Sequence, residues 1–177
     1  MDIESNEFLK ATAPMPVVLV STLYGEIKNV APYAWHMPIS MDPPMLGLAV
    51  RNTRDTYSNI KDTGEFVVGL PGPTLKDQVM IAARSVPRDR SEFDISGLTP
   101  MESSVVSPYR IKECSTNIEC RLEWIKKAGD HDVVVGKVVK VHVSEEIVAS
   151  DGSIQFPSPL MHIGGGRDLY ARLGDLI

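Results

Sequence analysis

The chain reads as a mainly β protein of six or more strands, a closed antiparallel barrel carrying short helical insertions. Three observations predict this. Compact β-branched runs are separated by Gly, Pro and Asp punctuation, the two longest patterned segments follow a period of two, strictly so in residues 115–124, and helical signals are few and short. Alternating strand–helix units, which would build a doubly wound sheet, are absent.

Pro16-Val17-Val18-Leu19-Val20-Ser21-Thr22 opens the series, with Tyr24-Gly25-Glu26 as the turn after it. Residues 30–40 are extended, and Met45-Leu46-Gly47-Leu48-Ala49-Val50 and Glu65-Phe66-Val67-Val68-Gly69-Leu70 read as buried strands. In residues 115–124, Thr116, Ile118, Cys120, Leu122 and Trp124 share one face, and Ser115, Asn117, Glu119, Arg121 and Glu123 share the other. Such alternation predicts one buried and one wet face. Residues 131–143 follow, with Val133, Val135, Val139, Val141 and Val143 in one parity and Ala128-Gly129-Asp130 as a hairpin turn. Thirteen residues would reach roughly 43 Å, so Gly136 is expected to mark a bend or bulge. Two helices are expected: residues 56–62, capped by Asp55 and stopped by Gly64, and residues 74–84, opened by a capping box at Thr74 and Asp77.

Composition narrows the function classes. The 177 residues carry 18 Lys+Arg against 23 Asp+Glu, a net charge of −5, and the pI near 5.4 leaves no electrostatic footprint for nucleic acid. An apolar fraction of 43% argues for a packed core, and the absence of repeats or low-complexity tracts for a single domain over residues 1–177. No run approaches the roughly 18 apolar residues that span a bilayer. The acidic start, Met1-Asp2-Ile3-Glu4, is unlike an export signal, so a cytoplasmic protein is expected. Cys114 and Cys120 share a strand parity and would lie ~20 Å apart, too far for a disulfide. Cys120 reads as a core residue, while Cys114 is open to either an inert or a redox role. His36, His131, His142 and His162 lack the pairing of a metal site.

Two segments carry candidate chemistry. The first is Asn29-Val30-Ala31-Pro32-Tyr33-Ala34-Trp35-His36-Met37-Pro38-Ile39-Ser40-Met41-Asp42-Pro43-Pro44. Its odd positions from Ala31 to Met41 form an apolar face, and Pro32 and Pro38 give no backbone hydrogen bond, so part of it lacks a partner strand on one side. Backbone groups left free beside aromatic side chains suit a flat ring with a polar rim; an edge strand protected from aggregation by proline fits the same pattern. The second is Arg51-Asn52-Thr53-Arg54-Asp55-Thr56, at a strand–helix junction. Guanidinium forks, hydroxyls and helix amides are the parts of a phosphate site, and equally of a capped helix with solvated arginines. Arg84, Arg88 and Arg90 form a second basic patch, and Gly164-Gly165-Gly166-Arg167 reads as a phosphate nest or a plain turn.

Taken in order along the chain, these segments resemble the flavin reductase-like FMN-binding split-barrel family, especially its flavoredoxin branch. The resemblance is carried by Pro16 to Thr22, Asn29-Val30-Ala31-Pro32-Tyr33, Trp35, Asp42-Pro43-Pro44, Arg54-Asp55-Thr56-Tyr57-Ser58-Asn59-Ile60, Thr63-Gly64-Glu65-Phe66-Val67-Val68, Gly97-Leu98-Thr99-Pro100, Glu119-Cys120-Arg121-Leu122, Gly129-Asp130-His131 and the glycine run at 164–166. It implies a six-stranded antiparallel split barrel with Greek-key connections, forming a homodimer that holds FMN near the subunit interface. By the same resemblance Asn29, Ala31, Pro32, Tyr33, Ala34 and Trp35 line the flavin ring. Arg51, Thr53, Arg54 and Thr56 take the phosphate, and His131 reaches the ring or the phosphate. Relatives often carry lysine where this chain has Glu92, so either Arg84, Arg88 or Arg90 replaces that charge or the cofactor is held more weakly.

The implied activity is FMN-dependent oxidoreduction, with NAD(P)H as a transient hydride donor and flavin, iron or a protein as acceptor. Hydride transfer to flavin needs an open ring face and no acid–base side chain, so no catalytic residue is nominated. Two other readings predict different behaviour. An electron-transfer flavoprotein would not react with NAD(P)H, and a non-catalytic flavin-binding barrel would do no redox chemistry.

Overall fold

The computed structural model describes residues 2–155, 158–164 and 169–174. A short helix α1 (Phe8–Thr12) precedes β1 (Met15–Pro16), β2 (Val18–Tyr24), β3 (Ile27–Tyr33), β4 (His36–Met41) and β5 (Pro44–Val50). Helix α2 (Asp55–Thr63), β6 (Glu65–Leu70), α3 (Lys76–Ala82) and α4 (Glu92–Ser96) follow. The chain continues through β7 (Pro100–Met101), β8 (Arg110–Ile111), the long β9 (Thr116–Ala128) and β10 (His131–Val143), then β11 (Leu160–His162) and β12 (Tyr170–Arg172). Seven strands form one antiparallel sheet in the order β3-β2-β6-β9-β10-β5-β4. Smaller sheets join β1, β11 and β12, and β7 with β8.

The outermost strands of the large sheet, β3 and β4, are consecutive in sequence with only Ala34 and Trp35 between them. Three Cα steps span at most about 11 Å, so the sheet must curl until its first and last edges nearly meet. They are not paired with each other, and the barrel is therefore split. This corrects the closed barrel read from strand number alone. It also explains a seventh strand where six were expected: residues 29–41 are not one ribbon but two edge strands separated at Ala34–Trp35. After β5 the chain crosses through α2 to place β6 beside β2, a Greek-key step.

Apolar residues on β2 pack on both sides of the sheet. Val18 and Val20 join Leu48, Val50, Ile60, Phe66, Val68, Cys120 and Val134 inside the curl. Val17 and Leu19 face the outer layer of Val79 and Ala82 on α3, Phe93 on α4, and Ile111 and Leu160. Burial on both faces is why this strand reads as an unbroken apolar run. Gly136 lies at a register shift between β9 and β10, as its position predicted; a Cβ there would run into the Phe66 ring, 2.7 Å from Cε1. Both cysteines are free and buried. Burial pushes the Cys120 thiol up to about 12 and raises Cys114 as well, which keeps both as inert thiols.

Three local expectations are corrected. Asp55 is the first residue of α2, whose N-cap is Arg54 without a side-chain cap bond, although Gly64 ends the helix as expected at φ 72°. The capping box at Thr74 is not made: a 3₁₀ turn at Pro73–Leu75 leads into an α3 that stops at Ala82. The predicted wet face of β9 is half covered, because Asn117 brackets the backbone of Ile111 at 2.8 and 3.0 Å and Glu119 is fully buried. Among the described residues no helix is long and apolar enough to cross a membrane.

Candidate functional site

A cavity of about 490 Å³ opens where the two sheet edges approach each other. Its walls contain Asn29, Ala31, Pro32 and Tyr33 from β3, Ala34 and Trp35 from the link to β4, and Arg51, Thr53, Arg54 and Thr56 from the β5–α2 junction. His131, the first residue of β10, completes the set. The two nominated segments and the histidine thus meet in one place. Pro32 tolerates its position because β3 pairs only with β2, leaving alternate backbone groups directed away from the ladder.

Contacts divide the walls into two poles. At the first, Asn29 Oδ1 accepts from the hydroxyls of Thr22 at 3.0 Å and Thr56 at 3.3 Å. Its amide Nδ2 donates to Glu92 Oε2 at 2.9 Å. Asn59 Nδ2 donates to Thr22 at 3.0 Å and extends the buried network into α2. Asn29 is therefore spent on holding β3, α2 and α4 together. Tyr33 stands beside this network, hydrogen-bonded to Thr56; burial raises its phenol above the ordinary value, and the Arg54 charge opposes that rise. At the second pole, Arg51 Nη2 lies 3.4 Å from Asp130 Oδ2. The other oxygen of Asp130 is 2.9 Å from His131 Nδ1, and the imidazole packs on Trp35 with ring centroids 4.6 Å apart at 40°. His131 holds the exposed Asp130 carboxyl below the usual carboxylate range.

Five wall elements were not nominated as site residues: Ala49, Asp55, Glu92, residues 82–86 and His162. Of the three arginines expected to compensate for Glu92, only Arg84 reaches the cavity. Arg88 turns away to Asn59 Oδ1 at 2.9 Å, to Asp55 at 3.6 Å and across the Tyr24 ring at 3.8 Å. Arg54 and Arg84 have no carboxylate partner among the described residues. The basic patch in the sequence held the signal for Arg84, whereas His162 comes from β11 with no local signature. Gly165, Gly166 and Arg167 of the glycine-rich nest lie outside the described residues.

The fit to a flat ring with an anionic tail is chemical as well as spatial. Arg54 and Arg84, without a carboxylate partner among the described residues, share the wall with Thr53, Thr56, the Ala31–Tyr33 backbone and the Trp35–His131 pair, a set whose chemistry suits an anion and a flat ring. Asp55 and Glu92 are the discordant members, two acids on a wall that otherwise suits an anion.

Comparison with known proteins identifies the family of the chain. A 35% identical relative from Methanothermobacter thermautotrophicus, described as an uncharacterized protein, aligns over 89% of this chain and 78% of its own length. The solved structure of nitrilotriacetate monooxygenase component B from Bacillus cereus superposes with a TM-score of 0.89 at 28% identity, covering 100% of this chain and 97% of that one. Flavoredoxin from Methanosarcina acetivorans shares the fold at a TM-score of 0.86 and 22% identity, over 100% and 92% of the two chains. The family model described as "Flavin reductase like domain" matches residues 11–168, and the chain belongs to that family.

Proposed function

We propose that the cavity binds FMN and that the chain, as one domain, is an FMN-dependent oxidoreductase. It would take a hydride from NAD(P)H and pass electrons to flavin, iron or a protein acceptor. The observation that carries this reading is the convergence of both nominated segments and His131 on a single cavity that also holds Arg54 and Arg84, neither of them in an ion pair among the described residues. Arg54, Thr53 and Thr56, with Arg84 opposite, would hold the phosphate. The free edge of β3 from Ala31 to Tyr33, continued by Ala34 of the link, would meet the polar rim of the ring, and Trp35 and His131 would bound one end of it. Bound there, FMN would supply two-electron hydride chemistry and onward electron transfer. No side chain is assigned a proton transfer; the residues position and balance charge.

A homodimer is part of the proposal. Met37 and Met41 on β4 are 55% and 95% exposed, beside an apolar groove of about 350 Å³ lined by Phe8, Leu9, Met15 and Met37 that shares Ala34, Trp35 and Ala49 with the cavity. Exposed apolar surface continuous with a site suits a subunit contact.

The direct test is a titration of the protein with FMN, then anaerobic addition of NADH or NADPH. Saturable binding followed by prompt bleaching of the flavin absorbance is the expected result. Binding without bleaching at millimolar nucleotide would remove the NAD(P)H step, and no binding would remove the cofactor. Sedimentation at micromolar protein should give twice the 19.4 kDa chain mass.

A further inference from the structure

We propose that Glu92 makes this cavity sense ligand charge: an anionic group seated beside Arg54 and Thr56 is accommodated by protonation of the Glu92 carboxyl. The inference rests on the reading that the cavity takes a flavin, and adds how the cavity distinguishes a phosphorylated ligand from an uncharged one.

Glu92 opens α4 and is only 6% exposed, yet it borders the cavity. Its carboxyl is one side chain removed from the Thr56 hydroxyl on the cavity wall, because Asn29 donates to it at 2.9 Å and accepts from Thr56 at 3.3 Å. The groups that face it come from every neighbouring element. From β3 these are the Asn29 amide, the Val30 backbone N–H and the Tyr33 phenol. From α2 it is Asp55, and from its own helix the Glu92 N–H; Thr56 and Arg54 act on Tyr33 next to it. Arg84 lines the same cavity. Burial already holds the carboxyl above the usual carboxylate range, and the Asp55 charge pushes the same way against the three hydrogen bonds. A second anion close by disfavours the ionised form further, since like charges sharing a site cannot both ionise freely. Taking up a proton removes that repulsion and turns an acceptor into a donor.

The test is the dissociation constant of FMN and of riboflavin for the native chain and for Glu92→Gln, measured from pH 6 to 8.5. The ratio of native to variant constants cancels the phosphate's own titration. For FMN the ratio should climb with pH, by up to about tenfold per unit for one linked proton, while for riboflavin it stays level. A level ratio for FMN would overturn the inference and leave the flavin site standing. A riboflavin ratio that climbs equally would overturn charge sensing too. Failure of both flavins to bind the native chain would remove the cofactor reading and this inference together. Should the variant not fold, calorimetry of the native chain in buffers of different ionisation heat decides: net proton uptake with FMN alone supports the inference, and no uptake overturns it.

Discussion

Two glutamates of this protein are buried within the same domain family's fold, and their surroundings drive them in opposite directions. Glu119 on β9 is fully buried. Its oxygens accept from the backbone N–H groups of Ser104 and Val105, each at 2.8 Å, and lie 2.6 Å from His142 Nε2. Burial alone would raise its pKa, but these three donors outweigh it and hold the carboxyl below the usual range. Glu92 has a side-chain amide and two backbone N–H groups, and a neighbouring acid in place of a histidine, so burial prevails. The difference teaches that what a buried acid does depends on its donors and neighbours. Glu119 fastens a loop to the sheet, whereas Glu92 borders a cavity with its charge poorly compensated.

The largest expected effect separates the two by stability. Glu119→Gln should cost ~2–3 kcal/mol, because it removes a charged acceptor from buried amides, and lower Tm by roughly 4–12 °C. Glu92→Gln should stay within ~0.5 kcal/mol at pH 7, because the native fold already disfavours its charge. Equal losses in thermal unfolding would erase the contrast.

Affinity comes next. Arg54→Ala should weaken FMN binding by ~1–3 kcal/mol through loss of a charge-assisted bond, read by fluorescence titration; unchanged affinity would move the phosphate elsewhere. Acid unfolding gives a smaller signal. The folded-state pKa of Glu119 lies below its unfolded value, so its contribution is complete above about pH 4.3 and is lost as pH falls through the folded value. Glu119→Gln should flatten that part of the curve, and Arg54→Ala should leave it unchanged. The smallest expected change is spectroscopic. Trp35→Ala should alter the visible envelope of bound flavin, and an identical spectrum would place the indole away from the ring.

Much of this was legible from local pattern. The prolines at 32 and 38 announced strands lacking a partner on one side, and β3 and β4 are the two sheet edges. Arginine and threonine at a strand–helix junction marked the wall that Tyr33 faces. Glu119 was misread as wet because alternation reports one strand's two faces, and the cover over the polar face comes from residues 103–105, packed back by the fold. The division of residues 29–41 at Ala34–Trp35 was missed for a related reason: extended backbone looks alike whether it continues one strand or leaves a sheet at one edge and re-enters at the other. Nor could spacing reveal that Asn29 would be consumed by Glu92, 63 positions away.

The two-residue bridge from β3 to β4 has a consequence for how this protein can vary. Lengthening it by one residue would shift the outer row of side chains relative to the cavity floor and relax the curl at the same stroke. Ligand geometry and barrel closure therefore share a single short tether, and a guest gripping both margins would resist their peeling apart. Amide exchange along Ile27–Tyr33 and His36–Met41 should slow together when that guest is present.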